Sequence, residues 1–120
     1  MKKIIIPILV LFFISLCFTS QAKTLQAYLN YTTFNVPEKG PFIETYLSVA
    51  GKTVIYKLNE KGLFQGSIEV TFIFRHQGEI KEFDKYQLFS PEVQDTASIA
   101  FSFIDQQRYF IPEGDYEMKL

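Results

Sequence analysis

Few residues in this 120-residue chain have the type and spacing that chemistry requires. His76 is the only histidine and Cys17 the only cysteine. A metal centre needs several converging ligands, and no Cys or His at ligand spacing accompanies His76. It reads as a surface residue of a hairpin loop. Glu79, Glu82 and Asp84 lie close together, and on a strand Glu82 and Asp84 share a face. Such oxygen ligands suit Ca²⁺. Lys81 and Lys85 interleave with them, however, and a solvated strand edge guarded against pairing fits better. Asp105-Gln106-Gln107-Arg108 is a polar run flanked by aromatics. It could line a sugar-binding surface, but a crossover between two layers is the better reading.

No Gly-x-Ser-x-Gly turn marks a hydrolase nucleophile, and no Gly-rich loop follows a strand to cradle phosphate. A carboxylate pair for glycoside hydrolysis is defined in space and cannot be picked from thirteen acids. The expectation is a non-enzyme without cofactor or metal.

The element that positions everything else is Ser67–Arg75. Ile68, Val70, Phe72 and Phe74 alternate with Glu69, Thr71, Ile73 and Arg75. A strand sends successive side chains to opposite faces, so one face is apolar and needs a second sheet to cover it. The expected core is completed by Ile99, Phe101 and Phe103.

Lys2 and Lys3 precede the apolar run Ile4–Phe18, and Ser20-Gln21-Ala22 supplies small residues for cleavage after Ala22. This is the pattern of a secretory signal peptide, and it implies export to the periplasm, cell envelope or exterior. A membrane anchor is disfavoured. About 15 helical residues reach only ~23 Å of a ~30 Å hydrocarbon core, and Pro7 interrupts the run. A lipoprotein would carry a small residue before Cys17, where Leu16 stands. Of the 12 basic residues, Lys2 and Lys3 leave with the signal. Ten then face 13 acidic ones in residues 23–120, with no basic cluster to suggest nucleic acid. No thiol remains to form a disulfide.

Strands are expected at Leu25–Thr32, Phe42–Val49, Val54–Leu58, Ser67–Arg75, Glu79–Phe89, Ala97–Ile104 and Tyr116–Leu120. Pro and Gly punctuate the turns between them. Ala50-Gly51 and His76-Gln77-Gly78 read as hairpin loops, Gly66 as a bulge, and Asp84-Lys85 as a second bulge. That second bulge would bring Phe83, Tyr86 and Leu88 into line. Seven short strands without a helix-period segment make an immunoglobulin-like antiparallel β-sandwich. Pro112-x-Gly114-x-Tyr116 resembles the tyrosine corner of that class, so Gly114 and Tyr116 join Phe72, Phe74 and Phe101 as expected structural residues. If Tyr116 opens strand F, strand G must come from a continuing polypeptide or from another chain, and the continuation is the preferred reading.

Leu25-Gln26-Ala27-Tyr28, Phe42-Ile43-Glu44-Thr45-Tyr46-Leu47 and Phe103-Ile104-Asp105-Gln106-Gln107-Arg108 resemble the N-terminal β-rich region of secreted GWxTD domain-containing proteins. The Gly-Trp-x-Thr-Asp motif does not occur here, and the chain has no Trp. Activity belonging to that motif therefore does not carry over. The resemblance implies an envelope β module whose partners are the rest of a longer chain or another envelope protein. The functional expectation is a secreted binding or scaffold module. Two alternatives stand beside it: a carbohydrate-binding module using Tyr28, Phe42, Tyr46 and Tyr109, and a strand-complemented subunit of a surface assembly.

Overall fold

The computed structural model describes residues 23–120, so the expected signal peptide lies outside the described residues. The strands are β1 (Ala27–Val36), β2 (Gly40–Ala50), β3 (Tyr56–Leu58), β4 (Phe64–His76), β5 (Glu79–Phe89), β6 (Ser102–Phe110) and β7 (Glu117–Lys119). Two antiparallel sheets form, ordered β1-β2-β6 and β3-β4-β5, with β7 also paired to β4. The fold is an all-β sandwich. Its connectivity is compatible with an immunoglobulin-like arrangement. β1, β2 and β6 take the A-B-E order, and β7 lies beside β4 as F lies beside C.

The alternation in β4 does what its pattern requires. Phe72 and Phe74 are fully buried, and Val70 nearly so. They meet Ile43, Leu47 and Val49 of β2 and Phe103 and Tyr109 of β6 in one core. The Tyr109 ring lies 5.5 Å from Phe72 and 5.0 Å from Phe74, both tilted. β2 is central in its sheet and covered on both faces, as its two-sided apolar pattern implies.

Several local expectations are corrected. β6 begins at Ser102 and runs through Asp105–Arg108, which is therefore strand and not a crossover. Residues 97–101 are not strand. Ile99 stays outside the core, whereas Phe101 packs against it and its carbonyl accepts the Gly51 N–H at 3.0 Å. Ala50-Gly51 is no hairpin, because Gly51–Thr53 forms a 3₁₀ turn that carries the chain into the other sheet. The β4–β5 loop is two residues, not three. His76 already pairs with Glu79, and Gln77 and Gly78 both take positive φ, 50° and 80°, as a type I′ turn demands.

The β5 irregularity falls earlier than expected. Phe74 opposes Glu82 while Arg75 opposes Ile80, which leaves Lys81 as the extra residue. Phe83 consequently points outward, more than half exposed, and Glu82, Asp84, Tyr86 and Leu88 take the inner face. Gly66 is not a bulge either. It pairs regularly with Tyr56 and is required by close approach: a Cβ there would sit 2.4 Å from Val54 Cγ1 and 2.9 Å from the Ile55 carbonyl.

Two outcomes follow for stability measured by urea unfolding. Phe72→Ala costs about 3–5 kcal/mol, because it opens a cavity at the centre of the aromatic cluster. Gly66→Ala costs about 1–3 kcal/mol through overpacking against Val54. An unchanged midpoint in either variant contradicts the packing described.

Candidate binding site

The space between the sheets is not wholly apolar. Asp105 and Gln107 lie on the inner face of β6, between Phe103 and Tyr109. Asp84 and Tyr86 lie on the inner face of β5. Two hydrogen bonds cross from sheet to sheet. The Tyr109 hydroxyl donates to Asp84 Oδ2 at 2.8 Å, and the Tyr86 hydroxyl donates to Asp105 Oδ2. Gln107 Nε2 donates to Asp105 Oδ1 at 3.2 Å. Partial burial raises both phenols above the ordinary tyrosine pKa, and the bonded carboxylates raise them further. Each phenol thus stays protonated and supplies the donor that its acceptor needs. The pairs are opposite in direction, tyrosine on β6 to acid on β5 and tyrosine on β5 to acid on β6. Together they fix how the two strands face each other.

The outer face of the β1-β2-β6 sheet carries a second constellation. The ring centroids of Phe34 and Phe42 are 5.0 Å apart and stacked, and Phe110 lies 5.2 Å beyond Phe42, tilted. The Arg108 guanidinium covers Phe42, 5.0 Å above its centroid. Arg108 Nη2 also reaches Glu44 Oε2 at 2.7 Å, with Nε at 2.8 Å from the same oxygen. The Tyr46 hydroxyl donates to Glu44 Oε1. Glu44 is buried on this face under its neighbours. The Tyr46 bond first, and Arg108 after it, hold its carboxyl below the usual carboxylate range.

A cleft of about 720 Å³ opens at the corner where β1 and β2 diverge from the chain entering β7. Tyr31, Thr33, Phe34, Phe42 and Ile43 line it from β1 and β2, and Phe74, Tyr116 and Met118 line it from β4 and the chain around β7. Glu113 and Asp115 supply its acidic groups. His76 is not a free loop residue. Its Nδ1–H donates to the Asp115 carbonyl at 2.8 Å, and its ring packs on Tyr116 at 5.2 Å. It pins the segment that forms one wall. Gly114, at φ 151°, sits against the His76 ring. Tyr116 lines the cleft, and its ring is tilted against His76. Among the described residues no hydroxyl-to-backbone bond of the tyrosine-corner kind is found for it.

No family model matches the chain, and neither the curated proteins nor the solved structures contain a match.

The expected chemistry is redistributed by the fold. Glu79 pairs with Lys81 at 2.9 Å on the exposed edge, and Lys85 pairs with Glu69 at 3.2 Å. Asp84 turns inward to Tyr109, away from both lysines. No group of three or more His, Cys, Asp or Glu side chains converges among the described residues. Of the four rings expected at the surface, Tyr28 is exposed and Tyr46 half-buried, whereas Phe42 and Tyr109 are buried. The Glu44–Arg108 pair is missed by sequence reasoning because its members are 64 residues apart. The Tyr109–Asp84 pair is missed for a different reason, since Asp84 reads as edge charge.

A pH dependence follows from Glu44. A carboxyl with a lowered folded pKa adds stability above the ordinary value of 4.5 and loses it as pH falls through the folded value. The stability advantage of the native chain over Glu44→Gln therefore shrinks as pH drops from neutrality to strongly acidic buffer. Urea midpoints across that range check this, and a constant difference contradicts it.

Proposed function

We propose that the chain is an exported, non-catalytic β-sandwich module of the cell envelope that binds or scaffolds a partner through the corner cleft. The observation that carries this reading is the cleft itself. Its volume of about 720 Å³ lies within the ~300–1,000 Å³ typical of ligand sites, and most of its walls are aromatic or aliphatic. The nearby imidazole is engaged with backbone, and the Tyr109–Asp84 and Tyr86–Asp105 pairs lie between the sheets, each phenol bonded to its acid. That arrangement suits recognition better than proton transfer. The partner is the rest of a longer polypeptide or another envelope protein, in keeping with the resemblance to the N-terminal region of GWxTD domain-containing proteins. Export rests on the sequence of residues 1–22. No helix among the described residues is long and apolar enough to cross a membrane.

Two observations favour the alternatives. Phe34 and Phe110 offer exposed rings to a sugar face on either side of Phe42, which is buried under Arg108. For strand complementation, β4 pairs with β3 through residues 64–66 and with β7 through residues 73–75 on the edge opposite β5. Residues 67–72 have no strand beside them on that edge among the described residues. An extended strand running in the direction of β7 fits that gap.

The proposal makes separable predictions. Mass spectrometry of the protein recovered from the producing cell is expected to find Lys23 at its N-terminus in the exported fraction. Retention of the first 22 residues in a cytoplasmic product overturns export. An apolar fluorescent dye is expected to bind the native fold and to lose about tenfold in affinity in Tyr116→Ala. Undiminished dye binding in that variant removes the cleft as the site. Binding on a glycan array that is lost in Phe34→Ala would move the assignment to carbohydrate.

A further inference from the structure

The strand edges of this sandwich are not treated alike. β5 carries Glu79, Lys81, Glu82, Asp84 and Lys85 and is bulged at Lys81. β6 carries Asp105 and Arg108. β3 and β7 are three residues each and both are charged. These are the usual devices that stop edges from pairing with other chains. β1 has none of them. Its ten residues, Ala27–Val36, include no charge and no proline, and it pairs with β2 without a register shift over its whole length. Tyr28, Tyr31 and Phe34 are exposed on it.

Among the described residues no strand pairs with the edge of β1 away from β2. The Ala50 N–H donates to the Gln26 carbonyl at 3.0 Å, which sets the parity of the ladder: even-numbered residues of β1 aim their backbone groups at β2. Odd-numbered residues (Ala27, Leu29, Tyr31, Thr33 and Asn35) aim theirs at the free edge. A strand whose free groups sit on residues 27, 29, 31, 33 and 35 is symmetric about Tyr31.

From this we infer that β1 is a self-association edge, pairing antiparallel with β1 of a second copy about a two-fold axis at Tyr31. In that register Ala27 faces Asn35 of the other copy, and Leu29 faces Thr33. All five outward residues make hydrogen-bonded pairs, about ten backbone bonds in total. No charge opposes a like charge, so the neutral edge suits its own copy. Tyr28 falls opposite Phe34 in a non-hydrogen-bonded pair, where side chains approach most closely and aromatic pairs are favourable. The ring row Phe110, Phe42, Phe34 on one copy then continues into Tyr28 of the next. A heterologous partner strand would need none of this symmetry. The β4 edge cannot serve the same purpose, because β3 and β7 occupy both ends of its gap.

Sedimentation velocity of the purified protein tests this. The native chain is expected to dimerise. Thr33→Pro removes an outward N–H without touching the β1–β2 ladder, a substitution that an edge strand accommodates. It should weaken the dimer about tenfold or more while leaving the circular dichroism spectrum unchanged. A native monomer up to the solubility limit, or a folded Thr33→Pro variant that stays equally dimeric, overturns the inference. Should Thr33→Pro fail to fold, disulfide trapping decides. In a Cys17→Ser background, mixing Tyr28→Cys with Phe34→Cys is expected to give a cross-linked heterodimer, while neither variant alone cross-links. Equal cross-linking in the single variants, or none in the mixture, rejects the register.

Discussion

Two phenols bonded to two carboxylates across an aromatic interlayer hold the sandwich in its particular alignment. Phe72 and Phe74 bring the sheets together because their rings have nowhere else to leave water. Burial alone is non-directional, however, and would tolerate many offsets between the layers. The Tyr109–Asp84 and Tyr86–Asp105 bonds are directional. Each needs β5 and β6 at one separation and one register. An unpartnered carboxylate between the sheets would cost more than a lost bond in water, so misaligned packings are penalised. The chain has no disulfide in its described part to perform this task.

That alignment has consequences at the opposite side of the sandwich. β1 is the edge strand of its sheet on the side away from β6, and of its inner residues Leu29 packs against the core. Tyr31, also on the inner side of β1, is more than half exposed. The corner between β1 and the segment entering β7 stays open as the cleft, and His76 holds that segment in place through the Asp115 carbonyl. Among the described residues the cleft and the bare β1 edge are thus two of the surfaces left unfilled. One is apolar and concave, and the other presents free backbone groups.

Much of the architecture is legible in the sequence. The period-two pattern of Ser67–Arg75 locates β4 and both of its buried phenylalanines, and the two-sided apolar pattern of β2 places it centrally. Errors arise where polarity is taken for exposure. Asp105 and Gln107 keep the alternation that Phe103 and Tyr109 set, yet their polarity suggests a connection. Only the Tyr86 hydroxyl, brought from another strand, explains why they can face inward. Phe83 misleads in the opposite sense: an aromatic ring is assigned to the core, while the displaced register at Lys81 gives the inner face to Glu82 and Asp84. The Glu44–Arg108 pair and the His76 contact are long-range and leave no local pattern. The 3₁₀ turn at Gly51–Thr53 hides behind a dipeptide that equally suits a hairpin.

The clamp is tested most directly by a double-mutant cycle on Asp84→Ala and Tyr109→Phe, with each variant's unfolding free energy measured in urea at neutral pH. A bond between partly buried partners across the two sheets predicts a coupling of about 1–3 kcal/mol. Changes that add to within about 0.5 kcal/mol would mean that the two residues act independently and that something other than this clamp aligns the sheets.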